Sequence, residues 1–331
     1  MTDIQIAIIQ ALQSQADWLA IPMLFFSFLG SAEFYLLAIP ILYWCWDPRL
    51  GLRLGILLGI STGLNEALKI AFHMPRPYWV SPQVKAFASY SSFGLPSAHA
   101  QDAVTFWGLI AATARRRGVW VLAVLLIFLI GVSRIFAGVH YPIDTIAGWV
   151  VGIVVLAAFL RWEEPVGRRL AALPLSRQIL IAFVGSLALA SLSLIALAAI
   201  GNWQLPHAWA EGALARSGEP IDPLFPRDAL IAAGLLFGFS AGAAILKHRS
   251  SMCAAGLRSV RLIRYAVGIG VTGLIWFGFG FAIPSDPTLP AFAFQYLRAV
   301  AAALWISYGA PEAFAILNLV VREEKPVLRD E

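Results

Sequence analysis

Stretches of about twenty largely apolar residues recur along the whole of this 331-residue chain, and that recurrence limits the possible folds more than any other feature. A helix rises ~1.5 Å per residue, so it needs about 20 such residues to cross a hydrocarbon layer ~30 Å thick. Within lipid the backbone must satisfy its own hydrogen bonds, which favours helices. The runs fall at 20–46, 52–73, 97–114, 119–137, 142–161, 178–200, 229–246, 262–283 and 297–320. They predict an all-α polytopic membrane protein with about nine transmembrane helices. Residues 4–17 alternate apolar side chains with Gln and Asp, so the first 19 residues are read as an interfacial helix. Inside the first run, Gly30-Ser31-Ala32-Glu33 predicts a break and a capped restart, since Ser favours the N-cap and Glu the first turn.

Composition agrees with this reading. The chain is 60% hydrophobic and 13% charged, with a mean hydropathy of +0.76, whereas soluble domains average roughly 45–50% and about 25%. That excludes a cytosolic enzyme, a disordered tail protein and a secreted disulfide scaffold. Many Trp and Tyr residues edge the apolar runs, as in the aromatic belts of membrane interfaces. The net charge of +5 does not indicate a nucleic-acid partner, because the basic residues sit in short links between runs. Of 24 Lys and Arg, 17 fall in alternate links. By the enrichment of positive charge in cytoplasmic loops, this sets the N-terminus outside and the C-terminus inside, in a plasma (inner) membrane. Cys45 and Cys253 then lie on the reducing side, so no disulfide is expected, and the start of the chain shows no removable signal peptide. The organisation reads as an interfacial helix (1–19), a six-span core (20–200), an outer loop (201–228) rich in Pro and mixed charge, and a three-span extension (229–331).

Polar residues at membrane depth are functional candidates, since an unpaired charge there costs at least ~2.5–3.5 kcal/mol. Three clusters map to the outer side. The first is Lys69, six residues, then Arg76-Pro77. Arg76 lies between two prolines, and a residue before proline is pushed out of the α region, so the guanidinium is carried on stiff, extended chain. The second is Pro96-Ser97-Ala98-His99, a helix start whose unpaired N–H groups form a ready anion site. The third is Ser133-Arg134, then His140, then Asp144. The last spacing lets a carboxylate reach one imidazole nitrogen and leaves the other free to attack. Three cations, a hydroxyl, backbone donors, two histidines and a carboxylate suit phosphoryl transfer, with charge met by Arg and Lys. No HExxH, cysteine pair or carboxylate cluster suggests a metal or other cofactor.

In this order and spacing the clusters resemble the signature motifs of the type 2 phosphatidic acid phosphatase (PAP2) superfamily of integral-membrane lipid phosphatases. The resemblance implies that His140 is the nucleophile, forming a phosphohistidine, and that Asp144 orients it. It also implies that His99 protonates the leaving lipid oxygen, that Lys69, Arg76, Ser97 and Arg134 bind the phosphoryl oxygens, and that no metal is required. One position departs: Ala98 stands where the family usually has glycine. Alanine keeps the N–H donor but loses the freedom at positive φ, so the cradle requires that Ala98 be helical already.

Around these, Glu33 is open to two readings, pairing with Lys69 or Arg76 to close the site, or capping span 1. Ser133 is a supporting hydroxyl beside Arg134. His73 reads as a helix-end residue and Arg298 as snorkelling. The segment from Tyr90 to Gln101 is similar to polyprenyl diphosphate phosphatases, which points to an undecaprenyl-type diphosphate entering from the bilayer. Phosphatidic acid, phosphatidylglycerol phosphate and sphingoid-base phosphates stay open. Alternative activities are a lipid-to-lipid phosphotransferase and a non-enzymatic anion or lipid transporter.

Overall fold

The structure, a computed structural model, describes residues 2–249, 254–281 and 288–320, and among these the chain is helical with no β-strand. Its elements are α1 (Thr2–Gln13), α2 (Ala16–Phe28), α3 (Ala32–Ile41) followed by a π-helical turn (Leu42–Trp46), α4 (Pro48–Phe72), α5 (Pro77–Val80), α6 (Ala98–Ala114) and α7 (Arg117–Phe136). They continue as α8 (Pro142–Ala171), α9 (Leu175–Ile200), α10 (His207–Ser217), α11 (Arg227–Arg249), α12 (Arg258–Phe281), α13 (Leu289–Leu304), a second π turn (Trp305–Gly309) and α14 (Ala310–Ile316). Seven stretches among the described residues are long and apolar enough to cross a membrane, and the pair α2 and α3, bent by 53°, makes an eighth. The protein is therefore an integral membrane protein. The bend falls at Leu29–Ser31, overlapping the expected break from Gly30, and Ser31 Oγ caps α3 by accepting from Phe34 N at 3.2 Å. α6 matches the third expected run but has only 17 residues.

Several helices outrun the expected spans. α8 continues past Arg161 to Ala171, because a charged, exposed end needs no lipid to stay helical. α13 starts eight residues before the expected 297, where Thr288 Oγ accepts from Ala291 N and Pro290 occupies the first turn. Cys45 is a free thiol that donates to Arg261 O; Cys253 lies outside the described residues.

The chain gathers into two compact units, each built from separated stretches. One comprises Met1–Tyr35, Ile60–Arg161 and Leu189–Ala229; the other comprises Leu36–Gly59, Trp162–Ala188 and Leu230–Glu331. In the first unit α6 and α7 form an antiparallel hairpin, α2 lies along α7, and α10 packs on α5. Gly148 and Gly152 on α8 face the backbone of α6, where a β-carbon would stand 2.5 Å from Ser97 O and 2.7 Å from Gln101 O respectively. Close approach through small residues is how helices pack where burial from water supplies no drive. An aromatic layer of Phe34, Tyr35, Phe106 and Trp107 fills the space between α3 and α6.

In the second unit the two π turns face each other. Tyr43 Oη donates to Ser307 O at 2.8 Å and Trp44 Nε1 to Ile306 O at 2.9 Å. The buried Arg264 guanidinium donates to the carbonyls of Trp44, Ala254, Ala255 and Leu319, which gathers irregular backbone onto one cation. Arg53 and Glu163 form a bidentate pair at 2.7 and 2.5 Å.

Candidate active site

All three clusters lie in the first unit, at one end of its helices: Lys69 ends α4, Arg134 ends α7, His99 begins α6 and Asp144 begins α8. Arg76 follows α4 with φ −84° and ψ 154°, the extended backbone that its two prolines dictate. Ser97 is the N-cap of α6, its Oγ accepting from Ala100 N. Ala98 is the first residue of that helix, so its methyl group meets no positive-φ requirement. Gly138, at φ +74°, turns the chain after α7 against the Lys85 carbonyl, where a β-carbon would collide. That turn carries Val139 and His140 back toward Arg76.

Backbone bonds tie the clusters together. Ser97 N donates to Asp144 O at 2.9 Å, joining the second cluster to the third. The sequence reading counts this N–H as a phosphate donor; it is already committed. The N–H groups of Ala98 and His99, in the first helical turn with no intrahelical acceptor, remain to form the cradle. Arg76 unites everything, using all five of its N–H bonds. Nε donates to Ser92 O at 2.7 Å, Nη1 to Val139 O at 3.0 Å and to His140 Nε2 at 3.1 Å, and Nη2 to Ser92 Oγ and Phe93 O, both at 3.1 Å.

That arrangement fixes the protonation of His140. A guanidinium can only donate, so Nε2 must be the accepting nitrogen and the proton of a neutral ring resides on Nδ1. Nδ1 lies 3.5 Å from Asp144 Oδ2. This is too long for a formed hydrogen bond, and Nδ1 has no partner that satisfies one. The Asp144 carboxylate instead accepts from Tyr141 N at 2.9 Å, which holds it beside the ring. Burial, then the positive charges of Arg76, Arg134 and Lys69, push the His140 imidazole well below the usual histidine range and keep it neutral.

Lys69 and Arg134 complete the charge. Lys69 Nζ pairs with Glu66 Oε1 at 2.5 Å and donates to Ser92 Oγ at 3.1 Å. Glu33, open in the sequence to closing the site or capping span 1, is exposed in the first turn of α3, whose cap bond is made by Ser31; Glu66, one helical turn before Lys69, is the acid that pairs with Lys69. Ser133 also turns away, its Oγ donating to Ile130 O in its own helix at 2.6 Å. Arg134 is fully buried and donates from Nη1 to Ser27 Oγ. Its Nε and Nη2 have no partner, nor does it have a carboxylate partner among the described residues. Buried guanidinium donors left unpaired are rare and mark a place for an acceptor.

The Tyr90 ring lies between the two arginines, 4.9 Å from the Cζ of each, and its Oη is 3.5 Å from His99 Nε2. The two histidines thus border one Arg76–Tyr90–Arg134 cluster. Below it, Asp102 accepts from Ser61 Oγ at 2.6 Å and Thr62 Oγ1 at 3.1 Å, while Gln101 bridges Asn65 and Ser61, fixing α6 to α4. Sequence reasoning passed over Glu66, Tyr90, Ser92, Asp102 and Ser27. For Glu66 and Asp102 the signal was present, a carboxylate inside an apolar run. His73, at φ 38°, packs on Trp203, and Arg298 lies over Trp276 and donates to Gln295.

Comparison with known proteins gives this arrangement a family. Residues 50–168 match the PAP2 superfamily, and residues 230–324 match the PAP2 superfamily phosphatase, transmembrane extension. A probable sphingosine-1-phosphate phosphatase of Dictyostelium discoideum is 31% identical over 149 residues, covering 40% of this chain and 36% of that protein. The undecaprenyl-diphosphatase of Sulfolobus acidocaldarius is 31% identical over 88 residues, covering 26% and 42%. The matched stretches therefore span well under two thirds of these relatives. The crystal structure of Aquifex aeolicus LpxE aligns at 24% identity with a TM-score of 0.42, covering 47% of this chain and 93% of that one. With residues 50–168 and 230–324 both matched to it, the chain belongs to the PAP2 superfamily.

Proposed function

We propose that this protein is a lipid phosphate or diphosphate phosphatase that works through a phosphohistidine on His140. The observation that carries the reading is the pair of imidazoles bordering buried cations with unpaired donors. Arg134 Nε and Nη2, Lys69 and the N–H groups of Ala98 and His99 take the phosphoryl oxygens, joined by the Ser97 hydroxyl and, once it turns, by Arg76. His140 Nε2 attacks phosphorus in line with the lipid oxygen. As that P–O bond breaks, His99 gives its proton to the departing alcohol or phosphate oxygen. The His140 ring becomes cationic on phosphorylation, and Asp144, 3.5 Å from Nδ1, stabilises that charge. Water then attacks phosphorus and gives a proton to His99 as the P–Nε2 bond breaks and its electron pair returns to His140, so inorganic phosphate leaves with the neutral ring restored. Transition-state charge is met by fixed cations and backbone donors, so no metal is called for.

The family relatives named as sphingosine-1-phosphate and undecaprenyl-diphosphate phosphatases support a lipid phosphate substrate reached from within the bilayer. Among these we favour a polyprenyl diphosphate, on the similarity of the Tyr90–Gln101 segment to polyprenyl diphosphate phosphatases and on the relative named as an undecaprenyl-diphosphatase. The catalytic core is assigned to residues 20–200, preceded by the interfacial helix 1–19, followed by the outer loop 201–228 and the extension 229–331. The excess of basic residues in alternate links supports a plasma-membrane orientation with the active site outside and the C-terminus in the cytoplasm. Replacing His140 with Asn in purified protein, with phosphate release measured in chelator over a panel of lipid phosphates, tests the mechanism. Turnover is expected to disappear, as is the acid-labile phosphate trapped on the wild-type protein; retained turnover would refute it.

A further inference from the structure

Arg76 presents a difficulty for the phosphatase reading, and this inference deepens that reading and rests on it. Every N–H of Arg76 is engaged within the protein, including the one on His140 Nε2. The lone pair that accepts from Arg76 is the one that must attack phosphorus, and it cannot do both. Ser92 sits at the centre of the arrangement. Its hydroxyl oxygen receives both Lys69 Nζ and Arg76 Nη2 at 3.1 Å, and its carbonyl receives Arg76 Nε at 2.7 Å. Two cations converging on one oxygen is the geometry of a bound phosphoryl oxygen, realised here by a neutral side chain.

We propose that Ser92 is a positioning residue that latches the nucleophile: its hydroxyl stands in for a phosphoryl oxygen, and so holds Arg76 against His140 until substrate displaces it. Arg134, with Nε and Nη2 unpartnered, and the first-turn N–H groups of α6 capture the incoming phosphoryl group. An anionic oxygen outcompetes a hydroxyl for charged donors. Lys69 Nζ and Arg76 Nη2 therefore transfer from Ser92 Oγ to the substrate, and the turn of the guanidinium withdraws Nη1 from His140 Nε2. The lone pair is released only when phosphorus is in place. The chain Glu66, Lys69, Ser92, Arg76, His140 supplies the path at hydrogen-bond distance throughout.

The test uses the purified full-length protein in detergent, with inorganic phosphate as probe in titration calorimetry. Wild type binds phosphate against the competition of Ser92. Ser92→Ala removes the competitor and binds phosphate about threefold to tenfold tighter, the span set by one or two lost competing hydrogen bonds. Ser92→Thr restores the wild-type affinity. Ser92→Cys, near in size and a weak acceptor, shifts affinity in the same direction by less, and stands in for the alanine variant should that one not fold. In parallel, diethyl pyrocarbonate, which acylates a free imidazole lone pair, modifies His140 faster in the alanine and cysteine variants than in wild type or Ser92→Thr, as read by peptide mass. A purely structural serine would weaken phosphate binding and leave the reactivity of His140 unchanged; either result overturns the latch. Absence of phosphate binding by wild type would instead overturn the phosphatase site itself, and the latch with it.

Discussion

Gly148→Ala is the sharpest test of how the fold positions the histidines. Gly148 lies one turn after Asp144 on α8 and faces the N-cap of α6, the helix that carries His99. A β-carbon there would stand 2.5 Å from Ser97 O and 3.0 Å from Ala100 Cβ, whereas ordinary contact begins at 3.4 Å. One neighbour is a backbone carbonyl at the N-cap and the other an alanine β-carbon in the first turn, so the methyl group cannot be relieved by turning a side chain. The helices must part by about 1 Å, which strains Ser97 N···Asp144 O, and a misplacement of that size between reacting groups costs ~10²-fold in rate. Overpacking of this kind also costs ~1–3 kcal/mol of stability. Gly167→Ala, on the same helix with nothing within 4 Å of its β-carbon, is the control. Phosphate release from a lipid phosphate panel and the midpoint of thermal inactivation are compared across the three proteins. The expected result is turnover reduced about 100-fold in Gly148→Ala and unchanged in Gly167→Ala. If the two variants match in both turnover and midpoint, the packing of α8 on α6 does not set the site.

Two further outcomes follow from the buried charges. Glu66 and Lys69 are both buried and paired at 2.5 Å, so Glu66→Gln leaves a buried ammonium without its counter-charge. Loss of one partner of such a pair costs about 3–5 kcal/mol, visible as a lower inactivation midpoint that added inorganic phosphate partly restores. The depressed affinity of His140 for a proton gives a signed pH effect. The unfolded chain takes up a proton as the pH drops through about 6.5, while the native ring stays neutral. This group's contribution is therefore complete above that pH and is lost on acidification, at no more than about 1.4 kcal/mol per pH unit. His140→Asn should lose less thermal stability than wild type between pH 7 and 5.5; an equal loss would remove His140 as the source.

Much of the architecture was legible because hydropathy adds up locally along a chain. The runs at 178–200 and 229–246 differ from α9 and α11 by no more than three residues at either end. The break in the first run was equally legible, since Ser31 caps α3 by contacts only three residues away. Residues Lys69, Arg76, His99, Arg134, His140 and Asp144 stood out because charge and imidazole are conspicuous against apolar neighbours. Their partners did not. Ser92 and Tyr90 are ordinary loop residues by composition, and nothing in their own neighbourhood says that two guanidiniums and an ammonium converge on them. Glu33 was open to pairing with Lys69 or Arg76 as well as to capping span 1, yet a carboxylate pairs with what it can reach, and Glu66 is three residues from Lys69 on one helix face.

The sequence by itself determined a helical membrane protein with a cationic, two-histidine cluster, since length, hydropathy and spacing are properties of consecutive residues. Tertiary structure alone decided which donors are spent and which are free. The Ser97 N–H goes to Asp144 O, Arg76 is fully engaged, and two nitrogens of Arg134 remain unpaired. Hydrogen-bond capacity is written in the residue type, but the allocation of each donor depends on acceptors that reach the site from elements 16 to 107 residues distant.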